Sequence, residues 1–279
     1  DHLGDMDFKV AGTENGVTSL DRVFPDATQY IPPQTTDPIG NYGGTVCGGT
    51  MVVVFYRSCN IPFAQLAIEI GPERMVDGTK KWGIGETIPI DLPAPAASAF
   101  GEVADFTDQL PLLAIGGFGQ GSTTMVPLHM AMIASTIANG GVMMKPHVVD
   151  ATLDHSGGVL TRTTPSAWKT PMSAATAETL TTLMIGVVNQ GTGKAMALEG
   201  GIQAAAKTGT AQLNVTGPER SNAWIIGFAP AAAPQYAVAV VLKGGPDDEV
   251  SASTGGRLAG PIAKQVLDYL FANPSSPGG

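Results

Sequence analysis

Apolar and polar positions along this chain change their period partway through, and the change divides it into a helical block and a sheet. Residues 62–70 and 72–82 each have a proline near the first turn and a glycine soon after the end. A proline placed there gives up an N–H that would have had no partner, so both segments are expected to be helices. Residues 126–141, VPLHMAMIASTIANGG, are apolar nearly all round and stop at Asn139-Gly140-Gly141, which predicts a buried helix. A further helix is expected over residues 174–189, ending before Gly191-Thr192-Gly193. The period then becomes extended. IQAAAKTGTAQL, NAWIIGFAP and QYAVAVVLKGG are rich in strand-forming residues, with a longer loop around Gly217 and a short turn at Pro230 and Pro234. Short links between successive strands imply antiparallel pairing. The last periodic segment, GGRLAGPIAKQVLDYLF, is expected to be a helix that lays Leu258, Ile262, Val266 and Leu270 on the sheet. The fold class is therefore α+β: an antiparallel sheet flanked by helices, with an all-helical subdomain inserted before it. The first fifty residues are turn-rich, and VFPD, YIPPQTTDPIGNYGG and CGG read as irregular surface structure. One domain is expected over residues 1–272, followed by a flexible tail, NPSSPGG, over 273–279.

Composition narrows the class. At 43% hydrophobic and 14% charged, with Gly 36 and Pro 21 among 279 residues, the chain suits a loop-rich enzyme domain with a sizeable core. A net charge of −9 and a pI near 4.8 exclude nucleic acid as a partner, because that role needs clustered Lys and Arg. The longest early aliphatic run, Val52-Val53-Val54-Phe55, is far too short to span a bilayer. The charged start at Asp1 has no apolar signal-peptide region, so a processed or excised fragment is expected. Two cysteines, Cys47 and Cys59, are compatible by count with one disulfide or with two free thiols.

Two short motifs carry candidate chemistry. Lys207-Thr208-Gly209-Thr210 lies on the first expected strand, taken here as exposed: a cation, two hydroxyls and a glycine that leaves the edge open. Such an edge can accept an extended peptide as an added strand and hold its carboxylate. The plainer reading is a solvated edge strand with a protective lysine. Ser58-Cys59-Asn60 stands just before the helix at Pro62. By itself, Ser-x-Asn in that place reads as a helix cap. A Cys47–Cys59 bridge would tie this turn down beside the Ser-x-Asn element.

In this order, and separated by a helical block, the two motifs resemble the signature of penicillin-binding proteins and serine β-lactamases. NYGGTVCGGT, SCNIPFAQLA, GQGSTTMVPLHMAMIASTIANGG, GTGKA, KTGTAQ, AWIIGFAP and YAVAVVL narrow the resemblance to the transpeptidase domain of class B penicillin-binding proteins, of an actinobacterial PbpA-like type, over nearly the whole chain. The resemblance implies the serine β-lactamase/D,D-transpeptidase-like fold and acyl transfer without cofactor or metal. It further implies a location on the extracytoplasmic face of the cell membrane. There the family is held by an N-terminal transmembrane helix that this chain does not contain. The implied partners are D-Ala-D-Ala stem peptides, β-lactams and other cell-wall synthesis proteins.

The family also carries a Ser-x-x-Lys element ahead of the other two. Phe8-Lys9-Val10 matches its end, but the serine position falls on Met6, and residues 1–20 look divergent or shortened. TMVVVFYR likewise looks about a residue or two shorter than the family's helix there. In an intact relative a serine attacks the penultimate D-Ala carbonyl and the lysine matching Lys9 takes its proton. The hydroxyl matching Ser58 relays a proton to the leaving amine, and Asn60 orients the lysine and the substrate amide. Lys207, Thr208 and Thr210 recognise the terminal carboxylate, Gly209 admits the ligand, and the N–H at Thr210 serves the oxyanion hole. A thioether at Met6 cannot be acylated. The one literal Ser-x-x-Lys, Ser166 to Lys169, stands in the wrong order for the family and in a loop-like stretch. Two readings follow: a transpeptidase domain whose own turnover is in question, and a non-catalytic pseudo-transpeptidase that binds without acylating. A β-lactamase ranks below both, since no segment resembles its Glu-bearing deacylation loop. His2, His129, His147 and His155 lack metal-ligand spacing and read as structural or surface residues. Gly191-x-Gly193-Lys194 lacks the spacing of a phosphate loop, Asn214-Val-Thr216 is a chance sequon, and the methionines are core filler.

Overall fold

Two short strands, β1 (Val23–Ala27) and β2 (Gln29–Tyr30), lead into β3 (Ile39–Gly40) and β4 (Cys47–Thr50). The computed structural model describes residues 16–93, 95–213, 220–245, 250 and 253–274. Met6, Lys9, His2, the Asn214–Thr216 sequon and residues 275–279 lie outside the described residues. β1 pairs antiparallel with β4, and β2 with β3. The segments VFPD and CGG are thus strands rather than the irregular structure expected of them. Phe24 points inward and is 2% exposed, and its burial outweighs the turn preference of the neighbouring Pro25 and Asp26.

The helical block follows: α1 (Met51–Arg57), α2 (Asn60–Ile70), α3 (Pro72–Lys81), α4 (Val103–Thr107), α5 (Leu110–Gly116) and α6 (Pro127–Ala138). Next come β5 (Met143–Met144), β6 (Ala151–Leu153), β7 (Val159–Arg162) and β8 (Ala167–Lys169), then α7 (Ala174–Asn189). The chain closes with β9 (Ala205–Gln212), β10 (Ser221–Ala229), β11 (Tyr236–Leu242) and α8 (Gly255–Ala272). No helix among the described residues is long and apolar enough to cross a membrane.

The main sheet runs β11-β10-β9, antiparallel throughout, with Ile226 opposite Lys207 and Trp224 opposite Gly209. Strand alternation splits β10 between two cores. Trp224, Ile226 and Phe228 face the large core built with the helical block, while Ile225 and Ala229 face α8. This is the expected α+β layout.

The contact face of α8 differs from the expected stripe. Ile262 and Val266 are 39% and 42% exposed, and Leu258 and Leu270 are half-buried. The buried side is Gly255, Gly256, Ala259, Gly260, Ala263 and Leu267. Small residues win because the helix lies nearly on the strands. A Cβ on Gly255 would stand 1.9 Å from the Trp224 carbonyl oxygen, and one on Gly256 would stand 2.1 Å from that of Thr192. Branched side chains cannot enter so narrow a gap, and they are left on the outer flank.

Candidate functional site

The turn between α1 and α2 is the first part of the site. α1 is opened by Thr50, whose hydroxyl accepts from the Val53 N–H, and it ends at Ser58 with φ 57 and ψ 49. A non-glycine residue in this left-handed region is uncommon and costs on the order of 1–3 kcal/mol. Neighbouring bonds hold it there. Cys59 is joined to Cys47 by a disulfide, with 5.7 Å between their Cα atoms. The N–H groups of Ser58 and Cys59 donate to the carbonyls of Phe55 and Val54. The start of α2 is capped from a distance: Asn41 Oδ1 accepts from the N–H of Asn60 at 3.0 Å and of Ile61 at 3.2 Å. Asn41 itself is anchored by its amide to the carbonyls of Ala27 and Thr45. Ser58 therefore does not serve as the helix N-cap that its position suggests, and its hydroxyl is directed elsewhere.

That hydroxyl meets β9. Lys207 Nζ donates to Ser58 Oγ at 2.6 Å and to its neighbour's carbonyl, Thr208 O, at 3.0 Å. The ammonium also sits 5.6 Å from the centre of the Phe55 ring, within cation–π range. Lys207 is only 2% exposed and Thr208 6%. The exposed, solvated strand expected around Lys207 is corrected on this point: packing against α1 and α7 removes the residue from water. The Thr208 hydroxyl bonds that of Thr192 at 2.5 Å. Thr210 is half-buried, and its carbonyl accepts from Gln120 Nε2 at 2.8 Å. Asn60 donates its side-chain amide to the Gly40 carbonyl at 3.1 Å.

Several of these groups line one cavity of about 490 Å³, with Lys207 behind its wall. Ser58, Asn60, Thr208 and Thr210 form part of its wall, together with Asn41, Arg57, Gln120, Thr192, Gln212 and the Tyr42-Gly43-Gly44 loop. No Asp or Glu occurs among the described lining residues, although the chain carries a net charge of −9. A cavity with Arg57 on its wall, Lys207 behind it and no carboxylate among its described lining residues suits an anionic ligand with a polar backbone.

Of the residues singled out from sequence, the structure brings together Ser58, Asn60, Lys207, Thr208, Gly209 and Thr210, while Met6 and Lys9 lie outside the described residues. Ser166 and Lys169 are not part of the cavity lining, and Lys169 pairs with Glu86 at 2.6 Å. Asn41, Gln120 and Thr192 were missed as individual functional residues. Local capping rules look immediately before a helix, whereas Asn41 caps α2 from nineteen positions upstream. Thr192 is flanked by Gly191 and Gly193, each packed closely on Val187, and that glycine pair was the available signal. His129 is fully buried and structural, as expected. Its Nε2–H donates to the Trp82 carbonyl at 2.9 Å, which leaves Nδ1 to accept from the Ser98 hydroxyl at 3.0 Å.

Comparison with known proteins gives one consistent answer. The model for the penicillin binding protein transpeptidase domain matches residues 8–268. The chain is 35% identical over 242 residues to the peptidoglycan D,D-transpeptidase PbpA of Mycolicibacterium smegmatis, covering 84% of this chain and 47% of that protein. The PbpA of Mycobacterium tuberculosis is likewise 35% identical, over 249 residues, covering 87% of this chain and 49% of the relative. The chain thus spans about half the length of the curated relatives it matches. Among solved structures, the penicillin G acyl-enzyme complex of M. tuberculosis penicillin-binding protein A superimposes with a TM-score of 0.84 at 30% identity, covering 96% of this chain and 60% of that one. The D,D-transpeptidase domain of an Eggerthella lenta peptidoglycan glycosyltransferase gives a TM-score of 0.85 at 25% identity, covering 98% of this chain and 65% of that one.

Proposed function

The chain belongs to the penicillin-binding protein transpeptidase family, and from that premise we propose that it is a D,D-transpeptidase-type domain of peptidoglycan synthesis that binds D-Ala-D-Ala stem peptides and β-lactams along β9. The observation that carries this reading is the 2.6 Å bond between Lys207 Nζ and Ser58 Oγ, which joins the two motifs at one cavity. Lys207, Thr208 and Thr210 receive the terminal carboxylate, and the absence of Asp and Glu from the described lining residues favours that charge. Gly209 keeps the strand open to the ligand backbone and Asn60 orients the ligand's amide, while Ser58 holds the position from which an intact relative passes a proton to the leaving amine. The domain works on the extracytoplasmic face of the membrane, with stem peptides as partners and other cell-wall proteins beside it.

Recognition and acylation separate in this chain. Lys9 matches the family's general base, but Met6 stands at the nucleophile's position, and no serine precedes Ser19. Residues 1–20 are divergent or shortened in the same region. The domain therefore binds its ligands without forming an acyl-enzyme, which makes it a recognition module within the cell-wall machinery. The test is mass spectrometry of the intact chain after exposure to penicillin G. No covalent adduct is expected on the unmodified chain. Met6→Ser restores the Ser-x-x-Lys spacing and should acquire slow acylation that depends on Lys9. Stoichiometric acylation of the unmodified chain, mapped to any serine, would overturn the missing-nucleophile reading.

A further inference from the structure

Among the described residues β9 is the outer strand of its sheet, and its side away from β10 forms part of the cavity wall. In a strand the N–H and C=O of one residue point to the same side, and successive residues alternate. Thr208 and Thr210 are two apart, so their carbonyls share the same edge. Both are already taken by side-chain donors: Lys207 Nζ holds Thr208 O at 3.0 Å, and Gln120 Nε2 holds Thr210 O at 2.8 Å.

The two donors are held differently. Lys207 is 2% exposed and bonded to Ser58 as well, so it is built into the wall. Gln120 is half-buried, reaches over from the loop between α5 and α6, and lies on the cavity surface. A strand edge left bare invites unwanted pairing, and a side chain laid over it suppresses that. The same cover obstructs a wanted strand. A carbonyl has two lone pairs, yet Gln120 and an added peptide must both reach the Thr210 oxygen from the open side, because β10 closes the other.

We propose that Gln120 is a displaceable cap on the β9 edge. Its amide occupies the Thr210 carbonyl in the empty site and yields it to a backbone N–H of an extended peptide, so the residue controls the rate of entry. This rests on β9 being the peptide-binding edge.

The test is stopped-flow binding of dansyl-lysyl-D-alanyl-D-alanine to the full chain and to the variants Gln120→Ala and Gln120→Met. Methionine keeps the side-chain length without a donor, so it serves even if the alanine variant fails to fold. Losing one net hydrogen bond before entry should speed association about threefold to tenfold, with dissociation unchanged to within about twofold. Slower association or faster dissociation would make Gln120 a ligand contact or a loop brace and overturn the cap. Unchanged rates would overturn it too. Absence of peptide binding by the unmodified chain would overturn the reading of β9 and the cap together, whereas binding with unaltered rates would remove the cap alone.

Discussion

Two serine–lysine pairs in this molecule have opposite fates. Ser58 and Lys207 are 149 positions apart in the chain and 2.6 Å apart in space. Ser166 and Lys169 are three positions apart and serve separate surroundings: Ser166 is exposed, while Lys169 pairs with Glu86 and lies 5.5 Å from the centre of the Trp168 ring. Residues three apart face each other on a helix, but Ser166 stands just before the extended strand β8 and Lys169 lies on it, so no helical turn brings the two together. Spacing alone therefore makes no site. The first pair is chemical because its lysine is withheld from water and its serine is held in a left-handed turn on the wall of a cavity with no carboxylate among its described lining residues. The second pair is part of a wall. Trp168 beside it is packed so tightly that a Cβ on Gly83 would lie 2.5 Å from its ring, and it faces the buried His129 ring at 6.0 Å.

The contrast is most sharply tested by releasing the Ser58 turn. Replacing both Cys47 and Cys59 by serine frees the short closed loop and should cost about 3 kcal/mol of stability through the unfolded chain. Denaturant titration would measure the loss, and a thiol count on the denatured, unreduced protein should find no free thiol. Two free thiols, or a stability unchanged by the double substitution, would mean that the left-handed turn is held without the bridge.

Ligand binding separates the two lysines next. Lys207→Ala should weaken binding of a D-Ala-D-Ala peptide by on the order of 1.5–3 kcal/mol, the value of a charge-assisted hydrogen bond. Lys169→Ala should leave peptide binding unaltered and cost at most about 1 kcal/mol of stability, since its partner Glu86 is 48% exposed. Isothermal titration calorimetry on both variants decides it, and equal losses would erase the distinction drawn between the pairs.

The smallest effect belongs to the structural region. Burial pushes the His129 imidazole below its ordinary value, and the hydrogen bond to the Trp82 carbonyl offsets this only in part. The folded protein thus keeps the ring neutral at pH values where the unfolded chain takes up a proton. Stability is full above the ordinary imidazole value and declines as pH falls below it toward the folded one. Thermal melts between about pH 7.5 and 5.5 should be flat at the upper end and fall at the lower, across the ordinary imidazole range. His129 resonances that titrate at the ordinary value would contradict the burial argument.

Periodicity and punctuation determined much of this protein without a structure. The helices at α2, α3, α6 and α7, the strands β9 to β11 and their antiparallel order follow from local spacing, from prolines at first turns and from short links. The two motifs were legible for the same reason, since each is a run of adjacent residues. Tertiary packing decided the rest. β1 and β4 form because Phe24 needs burial against a distant partner, and α8 turns its glycines and alanines inward because the strands leave no room for Leu258 or Ile262. Nothing local to Ser58 reveals that Asn41 takes over the cap and frees its hydroxyl for Lys207, or that Gln120 reaches β9 from ninety positions away. Side-chain hydrogen bonds of that span depend on where the backbone ends up, and one chain's pattern of apolar positions encodes which face is buried far better than which polar atoms will meet.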